Sequence, residues 1–421
     1  MAGHIQDRWY KTEKTADGKT VRVKSDRYGL GLRYRARYIG PDGTEKSQSF
    51  PDKQKRQADE WLSLIEADMS RGRYIDPRES RITFQQYADK WLASQTSDLT
   101  TRYAAETRLR LHAYPYIGGR PMGSFQPAHI RAWVRAMEEA GVTGGYARVI
   151  FANVRTVLSA AVDDDLLSRN PCGSRSVKAP KGEARRVAPW EPERVFAVRA
   201  ALPEGFRPMV DLAGGCGLRQ GEIIGFAEDA ADFATDTVHV VRQIKMIAGK
   251  AVFAPPKGGK LRDVPLSAAV AQRLRAHMER FPPTPVTLPW LTPDGPEVTH
   301  RLLFSNGTSG VAYRSNFNMF VWKPALAVAG VIPMPEKGKA YVSAREHGMH
   351  ALRHFYASAL LDAGENIKAV SQYLGHSDPG FTLRIYTHLM PSSQERTRRA
   401  IDKLYLGSAD HDHGPGTVQA A

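Results

Sequence analysis

The sequence predicts a multidomain, mainly α-helical chain. It carries a small N-terminal three-stranded sheet with one helix, a helical middle domain and a mixed α+β C-terminal domain. Three observations predict this. Apolar residues recur at helical spacing from Thr83 to about 164 and again from Glu191 onward. Short period-two stretches of apolar and basic residues occur near the N-terminus. A proline-bearing stretch without periodicity, residues 171–190, separates the helical run from the C-terminal half of the chain. At 421 residues the chain suggests about three domains at ~100–200 residues each. We place them at 1–76, 82–170 and 191–406, with a basic linker at 171–190 and a disordered tail at 407–421.

Composition narrows the function. The chain is 42% hydrophobic and 24% charged, an ordinary balance for a folded soluble protein. Its 59 Lys and Arg against 44 Asp and Glu give a net charge of +15, which favours a polyanionic partner, nucleic acid first. The two cysteines, Cys172 and Cys216, indicate neither a disulfide framework nor a cysteine-rich metal site. They fit a reducing, intracellular location. The first residues lack the apolar segment of a secretory signal, and no run of 18 apolar residues offers a membrane span.

The elements are taken in chain order. Residues 1–56 hold 14 Lys/Arg against 7 Asp/Glu. Val21–Lys24 and Leu32–Tyr38 alternate apolar and basic residues, so both read as half-buried strands. Arg33, Arg35 and Arg37 line an outer face able to contact DNA. Pro41-Asp42-Gly43 is a turn, Thr44–Phe50 a third strand, and about 52–70 a helix with Ala58, Trp61, Leu62, Leu64 and Ile65 on its apolar side. A connector, Gly72 to Pro77, precedes Thr83, a helix N-cap, and Phe84, Tyr87, Ala88, Trp91 and Leu92 complete the amphipathic pattern. Similar patterns occupy about 100–114, 127–139 and 144–164, where Arg148 and Arg155 are candidate phosphate contacts. The linker adds Lys181, Arg185 and Arg186, cations suited to a phosphate backbone.

Beyond the linker we expect helices at 192–202 and 205–213, then a turn at Gly214–Gly217. An antiparallel sheet comes next, from 237–244, 251–254 and 261–266. A helix at 267–281 leads to a proline-rich surface loop at 282–300. Helices resume at about 315–329, 350–363, 367–374, 379–388 and 391–406. The last of these is basic and amphipathic and suited to packing on a neighbouring protomer.

The chemistry gathers in four segments: Gly217-Leu218-Arg219-Gln220-Gly221-Glu222, His350-Ala351-Leu352-Arg353-His354, Leu374-Gly375-His376-Ser377 and Tyr386-Thr387-His388. A fifth element is Lys257, in a glycine-bearing turn with Lys260. Each is ordinary alone; together they suit attack on a phosphodiester by a phenolic oxygen. Arg219 and Arg353 can neutralise the non-bridging oxygens, because a guanidinium matches two of them and stays charged. Glu222, three residues after Arg219, can orient it. Tyr386 can form a phosphotyrosyl bond that conserves the energy of the bond broken. Lys257 suits a general acid, with His350 and His376 as proton carriers or phosphate ligands.

These segments resemble the tyrosine recombinase (phage integrase) family over about 82–406, and residues 1–76 resemble the arm-type DNA-binding module of phage and integrative-element integrases. The resemblance implies that Arg219, Lys257, His350, Arg353, His376 and Tyr386 are the catalytic positions, in a catalytic domain of the tyrosine recombinase type. Lys260 is the alternative lysine, and Tyr356, Tyr373 and Tyr405 are the rival tyrosines. The resemblance further implies a clamp on double-stranded DNA attachment sites of core and arm type. Expected with it are a 3′-phosphotyrosyl intermediate, exchange through a Holliday junction, a homotetramer and no cofactor or metal. A directionality factor and a DNA-bending host protein are expected partners, and the bacterial cytoplasm, at the nucleoid, the location. Rival readings are a topoisomerase or resolvase with the same chemistry, and a non-catalytic DNA-binding regulator.

Overall fold

The computed structural model describes residues 3–14, 19–71, 74–76, 79–182, 188–306, 310–376 and 378–386, together with 398, 401, 402 and 405. Arg185, Arg186, Ser377, Thr387, His388, most of the expected 391–406 helix and the tail lie outside them. The chain divides into two compact units, residues 1–184 and 185–421.

In the first unit, strands β1 (His4–Asp7), β4 (Tyr34–Ile39) and β5 (Glu45–Phe50) form an antiparallel sheet in the order β1-β4-β5. The alternation in β4 decides its faces. Tyr34, Ala36 and Tyr38 are buried with Phe50 against Ala58, Leu62 and Ile65 of α1 (Lys55–Ser70). The sheet has three strands, as expected, but not the expected three. Val21–Lys24 belongs to β3 (Thr20–Lys24), which pairs with β2 (Tyr10–Lys14) in a separate hairpin, and β1 takes its place. Period-two alternation marks a strand without naming its partner, so this pairing is set by tertiary contacts. The turn before β5 is held by Asp42, whose carboxylate accepts from the Thr44 amide at 3.1 Å, with Gly43 at φ 74°.

Four long helices build the rest of the unit: α2 (Phe84–Ser94), α3 (Leu99–His112), α4 (Pro127–Glu139) and α5 (Gly144–Asp163). Thr83 caps α2 in a reciprocal box with Gln86. Phe84, Leu109, Ile130, Trp133, Ile150, Val154 and Leu158 form the shared core. Trp133 anchors α4 to α3 by donating its indole N–H to the His112 carbonyl at 2.7 Å.

The second unit opens with α6 (Pro192–Ala201), α7 (Arg207–Cys216) and α8 (Gln220–Ile224). The expected turn at Gly214–Gly217 is corrected: α7 runs through Gly214 and Gly215 and ends at Gly217, in the left-handed region at φ 66°. Gly215 is suited to its place in the helix because a neighbour packs against it there. A Cβ on Gly215 would meet Val270 at 2.7 Å, and one on Gly214 would touch Phe355 at 3.5 Å. The expected strand 237–244 breaks into β7 (Thr237–Val240) and β8 (Gln243–Ile247), which take different partners. β7 lies between β6 (Ala231–Asp232) and β10 (Arg262–Pro265), whereas β8 pairs with β9 (Lys250–Ala254). The break falls at Arg242, whose side chain forms a bidentate ion pair with Asp229.

After α9 (Ala268–Arg280) the proline-rich stretch is also corrected. It forms an antiparallel hairpin, β11 (Thr284–Pro289) with β12 (Glu297–Leu302). Pro285 and Pro289 are tolerated because the pair has two strands only, leaving each an outer edge where no ladder donor is required. A discontinuous helix comes next, α10 (Arg314–Phe317), a π-turn (Asn318–Trp322) and α11 (Lys323–Val328). The unit closes with α12 (His350–Asp362), α13 (Ile367–Leu374) and α14 (Pro379–Tyr386). Gly364, just past α12, and Gly375, ending α13, both take positive φ, at 89° and 62°. One hydrophobic core extends from Trp190 to Tyr386.

Candidate active site

The site is built around two left-handed glycines and two arginines. Gly217 ends α7 and Gly375 ends α13, and each turns a carbonyl toward a guanidinium. Arg353 on α12 donates to the Gly217 carbonyl at 2.5 Å and also to the Leu374 carbonyl. Arg219, at the start of α8, donates to the Gly375 carbonyl at 3.3 Å. Gly217 can hold this conformation because it lacks a Cβ, which would lie 2.5 Å from the Tyr356 ring. Segments 136 and 156 residues apart are thereby joined through arginine-to-carbonyl bonds.

Glu222 organises the arginines. Its carboxylate is covered, and it accepts from the Arg219 amide at 2.8 Å and the Arg219 guanidinium at 3.0 Å. Arg262 of β10 grips both of its oxygens, at 3.0 and 2.6 Å, and donates to the Tyr373 carbonyl at 2.7 Å. Burial opposes ionisation of Glu222. The hydrogen bonds and charge of Arg262, with the charge of Arg219, outweigh that, so its pKa lies below the ordinary carboxylate value. Arg353 also feels its charge, so three guanidiniums face one carboxylate among the described residues of this cluster.

The histidines report the resulting field. His376, between α13 and α14, has its pKa pushed down to about 3, first by burial and then by Arg353 and Arg219. Its Nδ1 lies 2.7 Å from the Thr382 hydroxyl, and Phe381 packs edge-on against the ring. His350 is held at about 4 by crowding and by Arg353, Arg219 and Arg314. His350 is itself exposed to solvent, which tempers the shift. Arg353 itself, 1% exposed, falls to about 9 through burial and the charge of Arg219. It still carries its charge at neutral pH. A cluster in which burial and cations both disfavour further positive charge is one that an anion relieves.

Tyr386 ends α14. It is 1% exposed, and its hydroxyl lies 2.6 Å from His354 Nδ1. Burial raises its pKa to about 12, against the opposing charge of Arg353. Arg219, Arg353, His350 and His376 therefore act on one another electrostatically, and Tyr386 is coupled to Arg353. Lys257 is exposed at the start of the turn between β9 and β10, where Gly258 and Gly259 both take positive φ. Its neighbour Lys260 places Nζ 3.5 Å from the His376 carbonyl. The sequence pattern did not single out Arg262, His354 and Thr382 as parts of the site. Only His354 carries a local signal, its position one helical turn after His350.

The candidate DNA-contact residues divide. Arg33 is held inside its own module by Asp7 and Asp52, at 3.0 and 2.8 Å. Arg35 donates to Ser47 at 2.9 Å, and Arg37 pairs with Glu45 at 3.2 Å. Arg148 and Arg155 are exposed on α5, and their spacing of seven puts them on one face. Lys181 is exposed as well.

The sequence matches the Phage integrase central domain over residues 84–176 and the Phage integrase family over residues 328–393. The integrase of Mycobacterium phage L5 is 25% identical over 393 residues, covering 91% of this chain and 97% of its own length. That of Mycobacterium phage D29 is 26% identical over 378 residues, covering 87% and 93%. A XerC-like tyrosine recombinase of Caldanaerobacter subterraneus subsp. tengcongensis is 24% identical, covering 68% of this chain and 73% of its own. The fold is similar to that of the Tn1549 transposon integrase in complex with a circular intermediate DNA, with TM-score 0.62, 18% identity and 77% and 99% coverage. It is also similar to the lambda integrase tetramer bound to a Holliday junction, with TM-score 0.54, 14% identity and 83% and 91% coverage.

Proposed function

The chain belongs to the tyrosine recombinase (phage integrase) family, and we propose that it is a site-specific DNA recombinase in which Tyr386 is the nucleophile. The observation that carries this reading is the convergence of two arginines from distant segments on the turn bearing His376, beside a buried tyrosine. A scissile phosphate bound there takes the place of the backbone carbonyls as the acceptor for Arg219 and Arg353. Tyr386 Oη forms a bond to phosphorus as the bond to the 5′ oxygen breaks, leaving a 3′-phosphotyrosyl link. The leaving oxygen takes a proton from Lys257, carried on a turn that its glycines allow to move. His376, neutral because of its surroundings, hydrogen-bonds the phosphate, and His350, exposed to solvent, exchanges protons with it. Attack by the 5′ hydroxyl of a partner strand reverses the steps and needs no ATP. Because Tyr386 is covered, attack requires the site to open to the phosphate while Oη stays beside His354.

Residues 1–76 serve as the arm-binding module, 82–170 as the core-binding domain, 171–190 as the basic linker and 191–406 as the catalytic domain. The lambda integrase, with which this chain shares a fold, is a tetramer on a Holliday junction in its structure. We assign the same assembly here, with integration or excision of a mobile element in a bacterial cytoplasm as its outcome. A directionality factor and a DNA-bending protein join it there. No helix among the described residues is long and apolar enough to cross a membrane.

Incubating the full chain with a library of nicked random-sequence duplexes tests the reading. The nick lets the short 5′ fragment diffuse away and traps the covalent intermediate. The unmutated chain is expected to capture DNA covalently and Tyr386→Phe to capture none. Tight binding by the unmutated chain without covalent capture would instead make it a non-catalytic regulator.

A further inference from the structure

We infer that His354 is a further catalytic residue, its Nδ1 holding the Tyr386 hydroxyl and taking up the phenolic proton as the bond to phosphorus forms. The inference rests on Tyr386 being the nucleophile. The geometry is specific. His354 Nδ1 lies 2.6 Å from Tyr386 Oη, within reach for direct proton transfer. The histidine sits one turn after His350 on α12, and the His350 ring packs edge-on against it at 4.6 Å between centroids. Its helix turn is tied further by Ser358, which donates to the His354 carbonyl at 2.8 Å. Tyr386 is 1% exposed and belongs to the hydrophobic core, which leaves His354 as the proton acceptor in hydrogen-bond contact with its hydroxyl among the described residues.

The charges facing His354 favour its neutral form. Burial first, and then the charges of His350 and Arg353 on its own helix, bring its pKa down to about 4. A neutral imidazole with hydrogen on Nε2 presents an Nδ1 lone pair to the phenol. At rest the phenol, near 12, keeps its proton. The balance moves only when Oη begins to bond to phosphorus and loses basicity, while the phosphate anion stabilises an imidazolium beside it. The step then balances: the Oη–P bond forms, the P–O5′ bond breaks with its electron pair on the 5′ oxygen, the Oη proton passes to Nδ1, and Lys257 protonates the leaving oxygen. In the return step His354 gives its proton back to the departing Oη, and Lys257 accepts the proton of the attacking 5′ hydroxyl.

The test uses a nicked duplex selected by covalent capture with the unmutated full chain. His354→Asn keeps an amide near the position of Nδ1, so it can hydrogen-bond the phenol but cannot accept its proton. Single-turnover cleavage by H354N is expected to fall about 100-fold or more, with affinity for the duplex retained. Replacing Tyr386 by a fluorinated tyrosine of lower phenol pKa in the H354N chain should restore most of the loss, because a more acidic phenol needs less help. His354→Gln, whose amide reaches instead toward the Nε2 position, replaces H354N should the latter unfold. Cleavage by these variants at the parent rate overturns the inference. Faster cleavage, which would make the contact a latch on Tyr386, also overturns it, as does a loss that the acidic phenol leaves untouched. If the unmutated chain captures no duplex, the recombinase reading falls and this inference with it. If it captures and H354N matches it, only this inference falls.

Discussion

Glu222 shows how one residue holds the site together. Its carboxylate is shared by Arg262 and Arg219, with no exposed side-chain surface of its own. Glu222→Ala would leave Arg262, itself largely covered, without its counter-charge, and we expect about 3–5 kcal/mol of lost stability in equilibrium urea unfolding. The folded pKa of Glu222 is depressed, so its contribution is present above the unfolded carboxylate value and fades as pH falls through the folded value. The histidines act at higher pH. His354 and His376 have folded pKa values near 4 and 3, below the unfolded 6.5, so the unfolded chain binds their protons first. Stability is therefore expected to decline as pH drops from about 6.5 toward 4, and thermal unfolding across that window should show proton uptake on unfolding. A duplex phosphate in the pocket favours their charged forms. Calorimetry of duplex binding at about pH 5.5 in buffers of different ionisation enthalpy should accordingly register proton uptake on binding.

At the scale of the element, Gly217 is the sharpest case. Alanine there meets both a left-handed backbone and the Tyr356 ring, and it displaces the carbonyl that Arg353 holds. Gly217→Ala should cost about 1–3 kcal/mol from backbone strain, with a further loss from the clash, and should slow cleavage along with it. Thr83→Ala removes one half of a capping box far from the chemistry and should lower stability by about 1 kcal/mol, leaving cleavage unchanged. Helices of this kind were legible in the sequence. Phe84 to Leu92 repeats at helical spacing, Thr83 announces the start, and Gly364 and Gly375 announce two ends. The strands were less legible, because a strand is completed by a partner elsewhere. Pro285 and Pro289 hid β11 by looking like loop residues, and the break at Arg242 depends on Asp229, which no local pattern reveals. Gly214 and Gly215 read as a turn although they continue α7, since the close approach of Val270 that favours glycine at 215 is tertiary.

At the scale of the whole molecule, the chain carries an excess of 15 positive charges. Duplex binding through six or more phosphates should weaken roughly 10³-fold or more between 50 and 200 mM salt, as a titration at several salt concentrations would show. The residue types of the site were legible in the sequence, but their contacts were not. Arg219, Arg353 and His376 stand in recognisable segments, whereas Arg262 lies in an ordinary strand and joins them through Glu222 and the Tyr373 carbonyl. Arg33, chosen for its basic strand, is bound to Asp7 and Asp52, because alternation says which face a residue occupies and not what it meets there. The most direct measurement is the mass of the peptide joined to DNA after covalent capture and digestion with trypsin. A phosphotyrosyl nucleotide on Tyr386, in the peptide from 385 to 396, is the predicted result. Attachment at Tyr356, Tyr373 or Tyr405 instead, or no attached peptide at all, would contradict the account.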